Sequence, residues 1–341
     1  MHDRNLDAID LMKLILACLM VPTHMQAFQD NVPVMVFLSR FTIPLFFITS
    51  AYFFFLGVEK KPNDLQWRRT RLKKFLLRVL KLYLAWELLQ LPITVRNWGG
   101  PNITEPGGLK YFLIRLFLGN TFFASWYLKA LMLGIVTVTL LARKLSNGSL
   151  FVLGLAAYVL CCLNSGYRGL ELLQIRGLSV SNTFLAAIVW LVTGKIIAEN
   201  KPDLSAFHGW KVKKKLIALL ITLALYVLEY CLCVKKGWAE QTDNMLFLIP
   251  VCTLVFMLVL ECGIKLKHAS DMRTASTVIY CAHGSVMALL YSLGNRIGTD
   301  FESPPMAYLC YIMILVLCLA GGICINRLKG RKKLSWLSWL C

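Results

Sequence analysis

The sequence predicts an all-α, polytopic integral membrane protein with about ten transmembrane helices and both termini in the cytoplasm. Three observations lead there. The chain of 341 residues is 57% hydrophobic and only 16% charged, more apolar surface than a soluble domain of this size needs. Apolar runs of about 17–20 residues, the length that crosses a hydrocarbon core, recur from end to end. Lysine and arginine crowd into alternate connections between those runs, as the positive-inside rule requires.

The predicted spans lie at 8–28, 34–56, 75–93, 125–142, 149–163, 183–198, 216–233, 245–263, 275–293 and 306–326. The first contains LMKLILACLMVPTHMQAF, apolar apart from Lys13, His24 and a glutamine. The second, SRFTIPLFFITSAYFFF, carries Arg40 and Ser50. A basic inside loop over 57–74 leads into the third, which holds Glu87 in LAWELLQLP. The piece YFLIRLFL at 111–118 is too short to span and reads as interfacial or re-entrant. The fourth opens on SWYLKALM. Glu229 and Glu261 fall near span ends and read as interfacial. The ninth carries His283 in VIYCAHGSVM, in its inner half, and the tenth runs into the basic tail Arg327–Lys333.

Assigning connections alternately from a cytoplasmic amino terminus places 27 of the 37 Lys and Arg residues inside and 10 outside. The net charge of +19 is then the inside bias, together with attraction to anionic membrane lipid. Nucleic-acid binding is excluded, because no soluble basic module with interleaved aromatics is present. The expected location is the cell membrane. The first apolar run lacks a basic leader and a small-x-small cleavage site, so it is expected to stay as a span. Most cysteines sit inside spans as small apolar groups; none has flanking ligands at zinc spacing, and no metal is expected. A single membrane domain over 1–341 is expected. Its outside loops, 94–124 and 164–182 with Arg168, Glu171 and Arg176, would wall an outward-facing acceptor pocket.

The intramembrane polar residues carry the chemistry. Ionisable groups at such depth are costly and mark pathways or reactive sites. On one continuous helix, eleven residues bring His24 back to within roughly 20° of Lys13, ~16 Å further along. Arg40 should lie near the depth of His24, with Ser50 back at the depth of Lys13. Glu87 is a counter-charge for Arg40, His24 or Lys129. His283 serves packing or the site. Histidine is a natural general base near neutral pH, and a nearby arginine could hold an oxyanion. Those groups suit acyl transfer to a hydroxyl, but a proton relay through a transporter would use the same residue types.

Four ordered segments resemble the membrane acyltransferase-3 family of the O-antigen acetylase type. They are the basic-x10-His arrangement from Lys13 to His24, the Arg-PLFF-Ser pattern from Arg40 to Ser50, the Trp126-Tyr127-Leu128 start of a span, and Tyr280-x-x-His283. Departures are Ala51, where glycine is usual, and Lys13, where arginine is commoner. The extracytoplasmic esterase-like domain of many larger relatives is not seen. The resemblance implies transfer of an acyl group, commonly acetyl, from cytoplasmic acyl-CoA as co-substrate to a sugar hydroxyl of an outer glycan. It makes His24 the general base, Lys13 a donor contact and Arg40 the residue that positions the reacting groups. Ser50, Glu87, Trp126, Tyr127 and His283 are assigned to the substrate pocket. Arg68, Arg69, Arg71, Lys73 and Lys74 are assigned to the coenzyme's phosphates. The competing expectation is a transporter or exporter of a polar solute or surface polymer, with His24 and Glu87 relaying protons.

Overall fold

The structure, a computed structural model, describes residues 7–96, 104–117, 125–172, 184–200 and 211–341. They are almost wholly helical, with no β-strand among the described residues. In chain order the helices are α1 (Asp7–Met20), α2 (Gln26–Asn31), α3 (Pro33–Ser39), α4 (Thr42–Val58), α5 (Leu65–Arg96), α6 (Gly108–Phe117) and α7 (Ser125–Leu141). Then come α8 (Asn147–Leu163), α9 (Phe184–Glu199), α10 (Val212–Lys235), α11 (Leu248–Glu261), α12 (Ala269–Ile297) and α13 (Pro304–Leu328). Of the expected outer loops, 97–103, 118–124 and 173–183, with Arg176, lie outside the described residues.

The chain divides into two compact units, each drawn from three separate stretches. One comprises Met1–Ile9, Arg40–Leu76 and Ala130–Lys265. Its centre is α9, which packs against α4 and α8. The sequence FLAAIVWLVTGKIIAE is apolar on nearly every face, so the helix is buried all round, from Ala186 to Ala198. Its one interior cation, Lys195, donates from Nζ to Asn147 Oδ1 at 2.6 Å and to Glu199 Oε2 at 2.8 Å. Small residues let these helices close up, as is usual where packing alone joins apolar helices. A Cβ on Gly194 would stand 2.4 Å from the Ile48 carbonyl oxygen and 2.8 Å from Ala51 Cβ. Ala51 therefore sits in ordinary helix, fully buried, and the room at this crossing is supplied by Gly194.

The other unit comprises Asp10–Ser39, Leu77–Lys129 and Leu266–Cys341. Here α12 packs along α13, and again a glycine makes the approach possible: a Cβ on Gly322 would stand 2.5 Å from Ala275 Cα. A 3₁₀ helix, Lys332–Leu340, follows α13.

Among the described residues, four helical stretches are long and apolar enough to cross a bilayer by length and composition: Pro33–Val58, α10, α12 and α13. The expected spans at 125–142, 149–163 and 245–263 are the shorter helices α7, α8 and α11, of 17, 17 and 14 residues. Two expectations are corrected. The first span is no single helix; α1 stops at Met20 and a 3₁₀ turn, Val21–His24, follows. The basic run is no loop. It is helical from Leu65, because the Asp64 carboxylate accepts from Trp67 N at 2.8 Å and so caps one of the orphan N–H groups at the start of α5.

Candidate functional site

Pro22 makes the first feature of the site. It has no N–H to donate to the Cys18 carbonyl four residues back, and its ring crowds that carbonyl, so regular α-helix is disfavoured there. The chain tightens into a 3₁₀ turn, and the freed Cys18 oxygen accepts instead from the Tyr311 hydroxyl of α13 at 3.3 Å. This changes the geometry expected of Lys13 and His24. Seven α residues and four 3₁₀ residues carry His24 roughly 100° away from the direction of Lys13, not 20°. The two residues do not form one stripe.

His24 stacks on His283, with ring centroids 5.1 Å apart and planes 28° from parallel. The stack sets the two rings side by side, and His283 lies at the midpoint of the 29-residue α12. His283 is buried. Its Nδ1 lies 2.9 Å from the Ile279 carbonyl oxygen and 3.0 Å from that of Tyr280. Both partners are acceptors only, so Nδ1 carries the proton and Nε2 the lone pair.

The segment of α12 around His283 is held from two sides. Gln90 of α5, buried, donates from Nε2 to the Cys281 carbonyl at 3.0 Å and accepts from the Ser285 hydroxyl. Tyr127, at the start of α7, packs edge-on against Tyr280 with centroids 5.3 Å apart. Trp126 beside it is half-buried. Glu87, one turn before Gln90, is buried and is the carboxylate neighbour of Lys129, whose Nζ also lies 5.7 Å from the centroid of the Tyr83 ring. Lys129 is thus one of the counter-charges expected for Glu87 that the structure sets near it.

Lys13 has Asp10, Arg273 and Arg78 as its charged neighbours. Arg273 grips Asp10 through Nη2 at 2.6 Å and Nε at 3.0 and 3.1 Å. With the His24–His283 stack, this pair ties α1 and its 3₁₀ turn to α12 at two levels, with both helices starting at the same end. Three cations around one carboxylate leave a net positive site there.

The remaining expected residues belong to the other unit. Arg40 occupies the break between α3 and α4 and forms an ion pair with Asp243; its Nε is buried without a hydrogen-bond partner among the described residues. Ser50 is half-buried on α4. Within the basic run, Arg69, Lys73 and Lys74 are exposed, while Arg68 and Arg71 are half-buried, each with a buried Nε that has no hydrogen-bond partner among the described residues. The guanidinium of Arg71 lies against the backbone of Gly57, where a Cβ would stand 2.0 Å from Nη2. Trp67 donates from Nε1 to the Gly57 carbonyl at 3.0 Å, and Lys61 lies 5.5 Å from its ring centroid. The run thus separates into a built pair and a solvated face.

Sequence reasoning missed Gln90 as a partner, Asp243, and the carboxylate of Glu229. Glu229, placed near a span end by the sequence, is buried within the protein. It accepts from the Tyr167 hydroxyl and from the backbone N–H groups of Leu246 and Phe247 at 2.7 and 3.0 Å. Burial first, then Glu229, pushes the Tyr167 phenol well up, so the proton stays on the tyrosine that donates.

The family model described as an acyltransferase domain matches residues 6–323. The chain therefore belongs to the acyltransferase-3 family, and its apolar helices mark it as a membrane protein. Among curated proteins, an amino-acid racemase of Enterococcus faecalis is 24% identical over 307 residues, which is 85% of this chain and 42% of that protein. The chain thus spans less than half the length of that relative. No solved structure matches.

Proposed function

We propose that this protein is a membrane-bound O-acyltransferase, moving an acetyl group from cytoplasmic acetyl-CoA to a carbohydrate hydroxyl on the outer side. The observation that carries this reading is the His24–His283 stack, set in a chain matched almost end to end by the acyltransferase family. In the transfer, the acceptor hydroxyl gives its proton to the His24 imidazole as its oxygen bonds to the acyl carbon. The carbon–sulfur bond then breaks, and the coenzyme leaves as its thiolate. His283, which stacks on His24, and Tyr127, Trp126 and Glu87 of the same unit are the pocket residues in this reading. Lys13, in a net positive setting, contacts the donor. For Arg40 the role narrows to Nε, the donor that Asp243 leaves open, and Ser50 stays a pocket residue. Arg68 and Arg71 are the anion-holding members of the basic run; Arg69, Lys73 and Lys74 contribute through long-range attraction.

The direct test is transfer of labelled acetyl from acetyl-CoA to glycan by membranes containing the protein. No transfer above empty membranes overturns the reading. Two substitutions probe its parts. Gly57→Ala displaces the Arg71 guanidinium, and the expected result is a raised KM for acetyl-CoA with kcat kept, measured by initial rates. Gln90→Leu leaves the Ser285 hydroxyl unsatisfied in the interior and should cost about 1–3 kcal/mol of stability, read from thermal unfolding in detergent.

A second reading draws on the Enterococcus relative. Because that protein is named an amino-acid racemase, an amino acid is the polar solute to test for movement by a His24–Glu87 proton relay. Uptake of labelled amino acid into proteoliposomes without acetyl-CoA would favour it.

A further inference from the structure

The 3₁₀ helix Lys332–Leu340 has the sequence KKLSWLSWL. Its triplet, Leu-Ser-Trp, repeats with the period of the element that carries it. A 3₁₀ helix has three residues per turn, so residues i and i+3 eclipse and the triplet sorts into three stripes. Leu334 and Leu337 are half-buried and Leu340 is buried. Ser335 and Ser338 form an exposed polar stripe, closed by a bond from Ser338 Oγ to the Ser335 carbonyl at 2.6 Å. Trp336 and Trp339 form the third stripe and are 47% and 49% exposed.

The leucine edge is seated on the protein. Trp86 of α5 donates from Nε1 to the Leu340 carbonyl at 3.3 Å, and Lys81 lies 5.3 Å from the Trp339 ring centroid. The tryptophan edge is left facing outward. Beside it the chain carries the exposed Arg327, Arg331, Lys332 and Lys333, with no acidic residue from 327 to 341, while Lys329 turns its Nζ to Thr274 and Cys341. Two half-uncovered indoles are a large apolar area to leave in water. Indole rings with cations beside them are the pairing that settles at a bilayer–water boundary. Each basic residue there strengthens attraction to an anionic leaflet by roughly fivefold.

We infer that residues 327–340 form a docking surface for an anionic lipid leaflet, with Trp336 and Trp339 inserted at the headgroup–acyl boundary and the basic cluster on the phosphates. The inference does not depend on acyl transfer.

The test uses the full chain in nanodiscs of phosphatidylcholine, with or without phosphatidylglycerol, carrying lipid brominated near the headgroup. Bromine quenches only indoles that reach it. The difference in tryptophan emission between the wild type and the Trp336→Phe/Trp339→Phe protein isolates the two rings from the other seven tryptophans. The expected result is quenching of that difference signal, deepened by phosphatidylglycerol. In Arg331→Gln/Lys332→Gln/Lys333→Gln the deepening should be lost, while the Trp86-anchored fold keeps its thermal midpoint. Equal quenching of the wild type and the double phenylalanine protein overturns the inference, as does quenching indifferent to both lipid charge and the glutamine changes. A concentration-dependent blue shift in detergent without bromolipid quenching would assign the face to a second copy, and would also overturn it.

Discussion

Replacing His24 by alanine removes acetyl transfer to the level of empty membranes, a loss on the order of 10²–10⁴ in kcat, the contribution of a positioned general base. The donor should still bind, because Lys13 and its neighbours on Asp10, Arg78 and Arg273 are a separate cluster at the other end of α1. KM for acetyl-CoA is thus expected to hold while kcat falls, which initial rates at varied acetyl-CoA would show. His283→Asn is the informative companion. The asparagine amide can keep the donation to the Ile279 and Tyr280 carbonyls but offers nothing in place of Nε2 and no ring for His24 to stack on. A protein that folds with an unchanged midpoint and still transfers at the wild-type rate would remove His283 from the site.

The second large effect is on stability. Glu229→Ala strips three donors of their acceptor at once: the Tyr167 hydroxyl and the N–H groups of Leu246 and Phe247 at the entrance to α11. Those two N–H groups stand at a helix start, where no carbonyl of the helix can reach them and a negative charge is favourable. The half-buried tyrosine loses its partner as well. At about 1–3 kcal/mol for each donor left unsatisfied, the expected cost is at least about 3 kcal/mol, visible as a lowered thermal midpoint. Glu229→Gln should recover only part of it, since an amide offers one acceptor oxygen where the carboxylate offers two.

Much of the helical architecture was legible because it rests on local quantities. Long apolar runs locate helices, and α10, α12 and α13 lie close to where hydropathy places them. What escaped depended on a single atom or on distance along the chain. Pro22 ends α1 by lacking one N–H, and an average over an apolar window cannot register that. Asp64 starts α5 inside a charged stretch, where a run of cations reads as a loop. The tryptophan stripe has a period of three, which matches neither the α-helical nor the strand period. At the candidate site, the family motifs pointed to His24 and His283 separately, yet no spacing rule brings together two residues more than 250 positions apart. The partners of Arg40 and Glu87 were open for the same reason: the sequence offered several opposite charges at suitable depth, and only the packing selects Asp243 for one and Lys129 for the other.

The bond from Tyr311 to the Cys18 carbonyl also has a bearing on the order in which the molecule can be finished. The turn that presents His24 leaves the ribosome well before its hydroxyl partner Tyr311 and its stacking partner His283, which lie more than 250 residues further along. At ordinary synthesis rates, roughly 15–60 s separate them. During that interval the carbonyl freed by Pro22 and the imidazole must wait in the bilayer or its translocation machinery without their final neighbours. Newly made chains should therefore be inert until α12 and α13 have entered the membrane, and a chain halted before α13 would hold the proposed base in an unfinished setting.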